Sequence, residues 1–184
     1  MSDVTFDMTK NKMEVHQHNV EPWKVTLVDT GEATQTGGRI KRVKDYIDGT
    51  FCLTYGDGLS NVDITHLITF HRSQGVFATV TAIQPAGRFG GIELDGMRVK
   101  NFSEKPKGDG RWISGGFFVC EPEVIDFIKD DETVWEKEPL ENLANDKQLA
   151  VFKHEGFWKA MDTMRDKEQL EKLNKNSQAP WIVW

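Results

Sequence analysis

The sequence predicts an α/β protein on a mixed, mostly parallel sheet with one antiparallel hairpin excursion, and three observations carry that prediction. Residues 51–58, FCLTYGDG, open as an apolar run and stop abruptly at two glycines flanking Asp57. Ile64, Leu67, Ile68 and His71 recur at helical spacing between Asp63, a start signal, and Gly75, a stop. Further apolar runs at 76–83, 117–120 and 149–152 supply more strands, and strands alternating with a helix are the mark of parallel pairing. Four of the first five residues of the 51–58 run are apolar or aromatic, which suits a strand buried on both faces. Asp57 is then offered at a strand's carboxyl end, where open α/β sheets bind ligands and a carboxylate is placed to hold a divalent cation. A plain turn with a capping aspartate is the alternative reading of those eight residues.

The other elements follow in chain order. Val4, Phe6 and Met8 alternate with polar residues, and Met13 and Val15 resume the pattern after a break, which predicts a hairpin. Residues 25–28 read as a strand running into Asp29-Thr30-Gly31. A small, polar loop at 32–38 leads to a helix through Ile40, Val43, Tyr46 and Ile47, with Thr36 as N-cap. Arg39 falls in its first turn, either as part of an anion site or as a solvent-facing side chain. Ile92 and Leu94 face Met97 and Val99 across Asp95-Gly96, a tight-turn dipeptide. In the following segment, 102–108, Pro106 holds Lys105 extended, so Glu104 and Lys105 point in opposed directions. One of them faces a pocket, unless the segment is only a charged surface loop. Ser114-Gly115-Gly116 lets a ligand or another backbone come close before the strand at 117–120. Glu121-Pro122 opens a helix through Val124, Ile125 and Ile128, and Leu140, Leu143 and Ala144 indicate another. Asp162 is a second carboxylate, just before a final helix over 164–173.

Bulk composition narrows the function classes. With 184 residues, 38% of them hydrophobic, the chain can bury one core, and we expect a single domain over 1–184. Its 23 basic and 29 acidic residues leave a net charge of −6 with no long single-sign run, which argues against nucleic-acid and acidic-membrane partners. Cys52 and Cys120 each lie in an apolar run and read as small buried hydrophobes, in keeping with a reducing cytoplasm. No stretch approaches a membrane span and the first residues resemble no signal peptide, so a soluble, cytoplasmic protein is expected. His16 and His18 are two apart, and His66 and His71 do not share a helical face well, so all five histidines are read as structural or surface residues. No serine or cysteine stands in a nucleophile elbow.

Six strings together resemble one family. Thr36-Gly37-Gly38-Arg39, Tyr55-Gly56-Asp57-Gly58, Gly87-Arg88-Phe89-Gly90, Glu104-Lys105-Pro106, Gly115-Gly116-Phe117-Phe118, and Phe157-Trp158 through Met161-Asp162-Thr163 occur in the order and approximate spacing of the sugar-phosphate nucleotidyltransferases. The cytidylyltransferase branch is the most similar, and the likeness covers essentially the whole chain. It implies a Rossmann-like nucleotidyltransferase fold and a Mg²⁺-dependent reaction of CTP with glucose 1-phosphate. By the same resemblance Asp57 and Asp162 hold Mg²⁺, Lys105 meets the sugar phosphate and Glu104 a sugar hydroxyl. Thr34 and Arg39 match the nucleotide side, Gly56 lets the nucleotide approach, and Gly116 lies along the sugar pocket. An attacking phosphate oxygen is already ionised, so such chemistry needs positioning and charge neutralisation, which accounts for the missing triad. The family's opening glycine-rich loop, G-G-x-G-T-R, has no counterpart in residues 1–184, so the expected fold is an N-terminally truncated one lacking the triphosphate cradle. Impaired turnover and self-association over an uncovered sheet edge are the expected consequences; a non-catalytic binding or assembly module is the alternative.

Overall fold

The computed structural model describes residues 4–16, 23–85, 91–103 and 111–183. Strands β1 (Val4–Asp7) and β2 (Lys12–Val15) form the expected N-terminal hairpin, with Val4 opposite Val15. The strand expected at 25–28 is absent: the segment has no regular structure, and Val25 and Leu27 are 71% and 92% exposed. A short apolar run persists as a strand only where a neighbour pairs its backbone, and no described strand lies beside this one.

Helix α1 (Thr36–Arg42) starts one residue earlier than expected, with Gln35 as N-cap. Thr36 does not cap it; its hydroxyl donates to Glu136 and accepts from the backbone N–H of Trp135. The helix stops at Arg42, so Tyr46 belongs to a separate 3-10 turn, Lys44–Tyr46, and Ile47 to extended chain. Strand β3 (Phe51–Thr54) is the expected organising strand, and the short β4 (Gly58–Ser60) follows the Gly56-Asp57 turn. Helix α2 (Ile64–Gln74) begins and ends where the sequence places it: the Asp63 carboxylate accepts the His66 N–H at 2.8 Å, and Gly75 terminates it in the left-handed region at φ 61°.

Strand β5 (Ala78–Ile83) follows, then the hairpin of β6 (Gly91–Asp95) and β7 (Arg98–Ser103), then β8 (Ile113–Cys120), which takes in Ser114-Gly115-Gly116. The helix expected after Glu121-Pro122 is a 3-10 segment, Pro122–Phe127, that leaves Ile128 outside. Helix α3 (Glu138–Asn145), β9 (Leu149–His154), β10 (Trp158–Ala160) and α4 (Met164–Lys175) complete the described chain.

The central sheet is mixed, in the order β3-β8-β5-β9. β8 runs antiparallel between β3 and β5, while β5 and β9 pair in parallel, so three of its four strands point the same way. One face carries the main core: Phe51, Leu53, Ala78, Phe118 and Cys120 pack with Ile40, Val124, Ile128, Trp135 and Leu143 from the segments above them. Full burial of side chains of this size contributes roughly 1.5–3 kcal/mol apiece. On the other face Leu67 and Ile68 of α2 cover Val119, Phe117 and Phe152. Cys52 and Thr54 are not among the residues in that cluster and stand exposed, so β3 is buried on one face rather than two. Cys52 is therefore an exposed thiol, in contrast to Cys120, which is fully buried as expected. The two lie on adjacent strands but opposite faces, since Cys52 sits across from Val119 and Cys120 from Phe51.

His71 is a structural histidine, 1% exposed. Its Nδ1 is hydrogen-bonded to Thr79 Oγ1 at 2.8 Å and its Nε2 to Glu121 Oε1 at 3.1 Å, while Glu121 also accepts from Thr50. A buried polar ring is thereby satisfied at both nitrogens. Among the described residues no helix is long and apolar enough to cross a membrane.

Candidate functional site

Two short strands bring together carboxylates that are about 100 residues apart in sequence. β4 pairs antiparallel with β10, with Gly58 opposite Ala160, and beyond that pair the Met161 N–H donates to the Asp57 carbonyl at 2.8 Å. Asp57 and Asp162 consequently line one hollow of about 200 Å³, with Thr54, Tyr55, Ser114, Gly116 and Trp158 among its other walls. The sequence reading missed both β4 and β10. Each is three residues long, too short for any period to register, yet their pairing is what joins the two halves of the site.

The turn that carries Asp162 is pinned on its far side. Thr163 caps α4 in a reciprocal box with Asp166, and Lys159 Nζ lies 2.8 Å from Asp166 Oδ1. Lys159 first and Thr163 second hold the Asp166 carboxyl at about 2, well below the usual carboxylate range. Both partners of Asp166 flank residues 160–162, so the ion pair and the cap fix the backbone on which Asp162 rides.

Gly115 and Gly116 are required by the walls themselves. Trp158 Nε1 donates to the Gly115 carbonyl at 2.7 Å, and a Cβ on Gly115 would approach Ile83 Cγ2 and the Thr81 carbonyl at 3.1 Å. Gly116 has φ +77°, and a Cβ there would sit 2.6 Å from the Tyr55 ring. Tyr55 is thus pressed over the backbone of β8. Its hydroxyl donates to Glu136, which also accepts from Thr36 Oγ1 at 2.7 Å. Burial, and secondarily the hydrogen bond and charge of Glu136, push the Tyr55 phenol well above its ordinary range. No pattern in the sequence signals Glu136, because this contact is made across about 80 residues by a side chain outside any periodic segment.

The other expected site residues are distributed differently. Thr34 is buried. Arg39 donates to Thr30 Oγ1 at 2.7 Å and to the Glu32 carbonyl at 3.1 Å, and neither it nor Thr34 is among the residues lining the hollow. Gly37 and Gly38 let α1 close on the 131–133 segment, where added Cβ atoms would meet the Thr133 and Asp131 carbonyls at 2.7 and 2.6 Å. Gly56 borders open space. Glu104 and Lys105, like the 87–90 motif, lie outside the described residues.

The lining residues with oxygen-bearing side chains are Asp57 and Asp162, with carboxylates, and Thr54, Tyr55 and Ser114, with hydroxyls. Among the described residues no group of three or more His, Cys, Asp or Glu could hold a metal ion. A pair of carboxylates without a third protein anion suits a hard cation that completes its shell with water and phosphate oxygens, the habit of Mg²⁺.

Comparison with known proteins decides the family. The nucleotidyl transferase family profile matches residues 4–166. The chain belongs to the nucleotidyl transferase family. Glucose-1-phosphate cytidylyltransferases of Salmonella typhi and Salmonella typhimurium are each 54% identical to it over 186 aligned residues, covering 100% of this chain and 72% of theirs. The nucleotidyl transferase is therefore similar to glucose-1-phosphate cytidylyltransferases along its whole length and is shorter than they are. Its fold also matches a solved structure of apo UDP-glucose pyrophosphorylase with a TM-score of 0.59 at 12% identity, over 82% of this chain and 63% of the other. The expected Rossmann-like, mixed α/β architecture is borne out by that likeness and by the central sheet.

Proposed function

We propose that the chain takes part in a Mg²⁺-dependent cytidylyl transfer from CTP to glucose 1-phosphate, giving CDP-glucose and pyrophosphate. The observation that carries this reading is the convergence of Asp57 and Asp162 on one hollow in a chain 54% identical to glucose-1-phosphate cytidylyltransferases. In the reaction, a phosphate oxygen of glucose 1-phosphate forms a bond to the α-phosphorus of CTP, and the bond from that phosphorus to the pyrophosphate oxygen breaks. Asp57 and Asp162 would hold the Mg²⁺, which when bound neutralises phosphate charge. Lys105 is assigned to the sugar phosphate, Glu104 to a sugar hydroxyl, and Gly116 to the wall of the sugar pocket. Thr34, Arg39 and Gly56 are assigned to the nucleotide side. The pinned turn at 161–163 keeps Asp162 from moving as ligand charge arrives, so little reorganisation accompanies binding.

A second reading has its own observation: residues 1–184 contain no G-G-x-G-T-R string to cradle a triphosphate. Under it the 184-residue chain binds a sugar phosphate and turns nothing over. One experiment separates the two. Pyrophosphate release is followed with Mg²⁺, CTP and glucose 1-phosphate beside Asp57→Asn, and glucose 1-phosphate binding is measured by calorimetry beside Lys105→Ala and Glu104→Ala. Turnover abolished in Asp57→Asn supports the transferase; binding without turnover supports the module; unchanged affinity in both alanine variants removes the pocket assignment. A cytoplasmic setting is supported by the two unpaired cysteines. Self-association is supported by the exposed Trp23, Val25 and Leu27 and by the edge of β3 that pairs with no strand among the described residues, and a strictly monomeric species in light scattering at high concentration would remove it.

A further inference from the structure

Tyr55 is the one tyrosine lining the hollow, and its surroundings leave it little freedom. Its ring rests on Gly116, its hydroxyl proton is given to Glu136, and the second oxygen of that carboxylate is occupied by Thr36 at the start of α1. Thr36 is itself fixed, because its hydroxyl accepts the Trp135 N–H at 2.9 Å, and Trp135 is fully buried in the core. Glu136 thus joins three elements: the end of β3 that precedes Asp57, the first turn of α1, and the core-anchored segment before α3. Thr36 and Glu136 are exposed, so water competes for both and the fold gains little from the pair alone. An exposed carboxylate spent on a wall of the candidate site calls for a role in that site.

We infer that Glu136 is a positioning residue that fixes Tyr55 as a hydrogen-bond acceptor for a hydroxyl of the bound sugar. This rests on the sugar-phosphate reading proposed above. With its proton committed, the phenol oxygen has only lone pairs left to offer, and these match a ligand O–H rather than a phosphoryl oxygen. The negative charge of Glu136 behind it opposes a phosphate at the same place. Within the hollow, the phosphate therefore belongs at the Asp57–Asp162 end, where a cation held by those carboxylates would screen it, and the sugar's hydroxyl edge at the Tyr55 end. Tyr55 and Glu136 then act on sugar affinity and leave affinity for phosphate alone untouched.

The test uses the 184-residue chain with Mg²⁺ and two probes, glucose 1-phosphate and inorganic phosphate, by calorimetry. Tyr55→Phe and Glu136→Gln should each weaken glucose 1-phosphate about tenfold, the double variant should lose no more than either single, and inorganic phosphate should bind all of them alike. Thr36→Ser should keep wild-type affinity, whereas Thr36→Ala should lose part of it. Equal losses for both probes, additive losses, or an unchanged Glu136→Gln would overturn the assignment. A separate readout needs no ligand. Tyr46 and Tyr55 are the only tyrosines, so a Tyr46→Phe background labelled with ¹³Cζ-tyrosine reports on Tyr55 alone. Glu136→Ala should move the Tyr55 Cζ resonance at neutral pH, because the phenol loses the carboxylate that accepts its proton. An unmoved resonance would overturn the hold of Glu136 on Tyr55, even in a chain that bound no sugar phosphate; wild type failing to bind while that resonance moves would remove the functional reading and confine Glu136 to holding Tyr55.

Discussion

Gly116→Ala tests the packing logic of the site most directly, because two separable penalties meet at one residue. Its φ of +77° lies in the left-handed region, where an L side chain costs roughly 1–2 kcal/mol. The added methyl would also sit 2.6 Å from Cδ2 and 3.1 Å from Cε2 of Tyr55, so the ring must move, and overpacking of this kind costs typically about 1–3 kcal/mol. Together the loss is roughly 2–5 kcal/mol, and for a chain of this size each kcal/mol lowers Tm by about 2–4 °C. Gly75→Ala is the matched control: φ there is +61° with nothing within 4 Å, so only the backbone penalty of about 1–2 kcal/mol applies. Thermal unfolding followed by circular dichroism should show Gly116→Ala losing about twice as much stability as Gly75→Ala. Equal losses would refute the claim that Tyr55 is pressed against β8, and with it the account of why glycine stands at 116.

Three further outcomes follow from the packing and ion pairs of the fold. Leu67→Ala removes the side chain by which α2 grips Val119 and should cost about 2–5 kcal/mol, read as a lower urea midpoint at an unchanged slope. The Asp166 carboxyl is held at about 2 in the folded chain against an ordinary 3.8, so its contribution is complete above pH 4 and lost as pH falls from there towards 2. Wild type should therefore be more stable than Asp166→Asn at neutral pH, with the two converging near pH 2; a gap of constant size would refute the Lys159–Asp166 pairing. A thiol reagent should titrate one cysteine in the native chain, the exposed Cys52, and two after denaturation, since Cys120 is fully buried and burial pushes its thiol up to about 12. Two fast-reacting thiols in the native state would contradict the burial of β8.

Where the sequence reading succeeded, local chemistry and tertiary packing agreed. Asp63 and Gly75 bound α2 because an Asx cap and a left-handed stop act within a few residues of the helix they serve. It failed where the outcome depended on a partner far away in sequence. Residues 25–28 have strand composition, but composition cannot supply a neighbouring backbone. Cys52 sits in an apolar run, but only the packing of other segments decides that this face of β3 stays open. Thr36 is a good capping residue whose hydroxyl is drawn instead to Glu136, and no spacing rule links positions 100 residues apart. The candidate site divides in the same way. Asp57 and Asp162 were readable as carboxylates at strand and helix ends, while Tyr55 and Glu136 came to light only through the contacts that hold them.

The position of β8 has a consequence for the order in which the chain acquires structure. β3 and β5 do not pair with each other; each is joined to the sheet through a strand that begins at residue 113, after the whole β6–β7 hairpin has been made. β4 waits longer still, for β10, about 100 residues downstream. Pairings of such range close large loops before they return any free energy, which makes folding slow and leaves the early strands without partners in the meantime. The carboxylate pair is accordingly among the last features to form. A nascent chain carries Asp57 on an unpaired strand end and offers no half-built cation site; the hollow appears only once the C-terminal third has closed over the first.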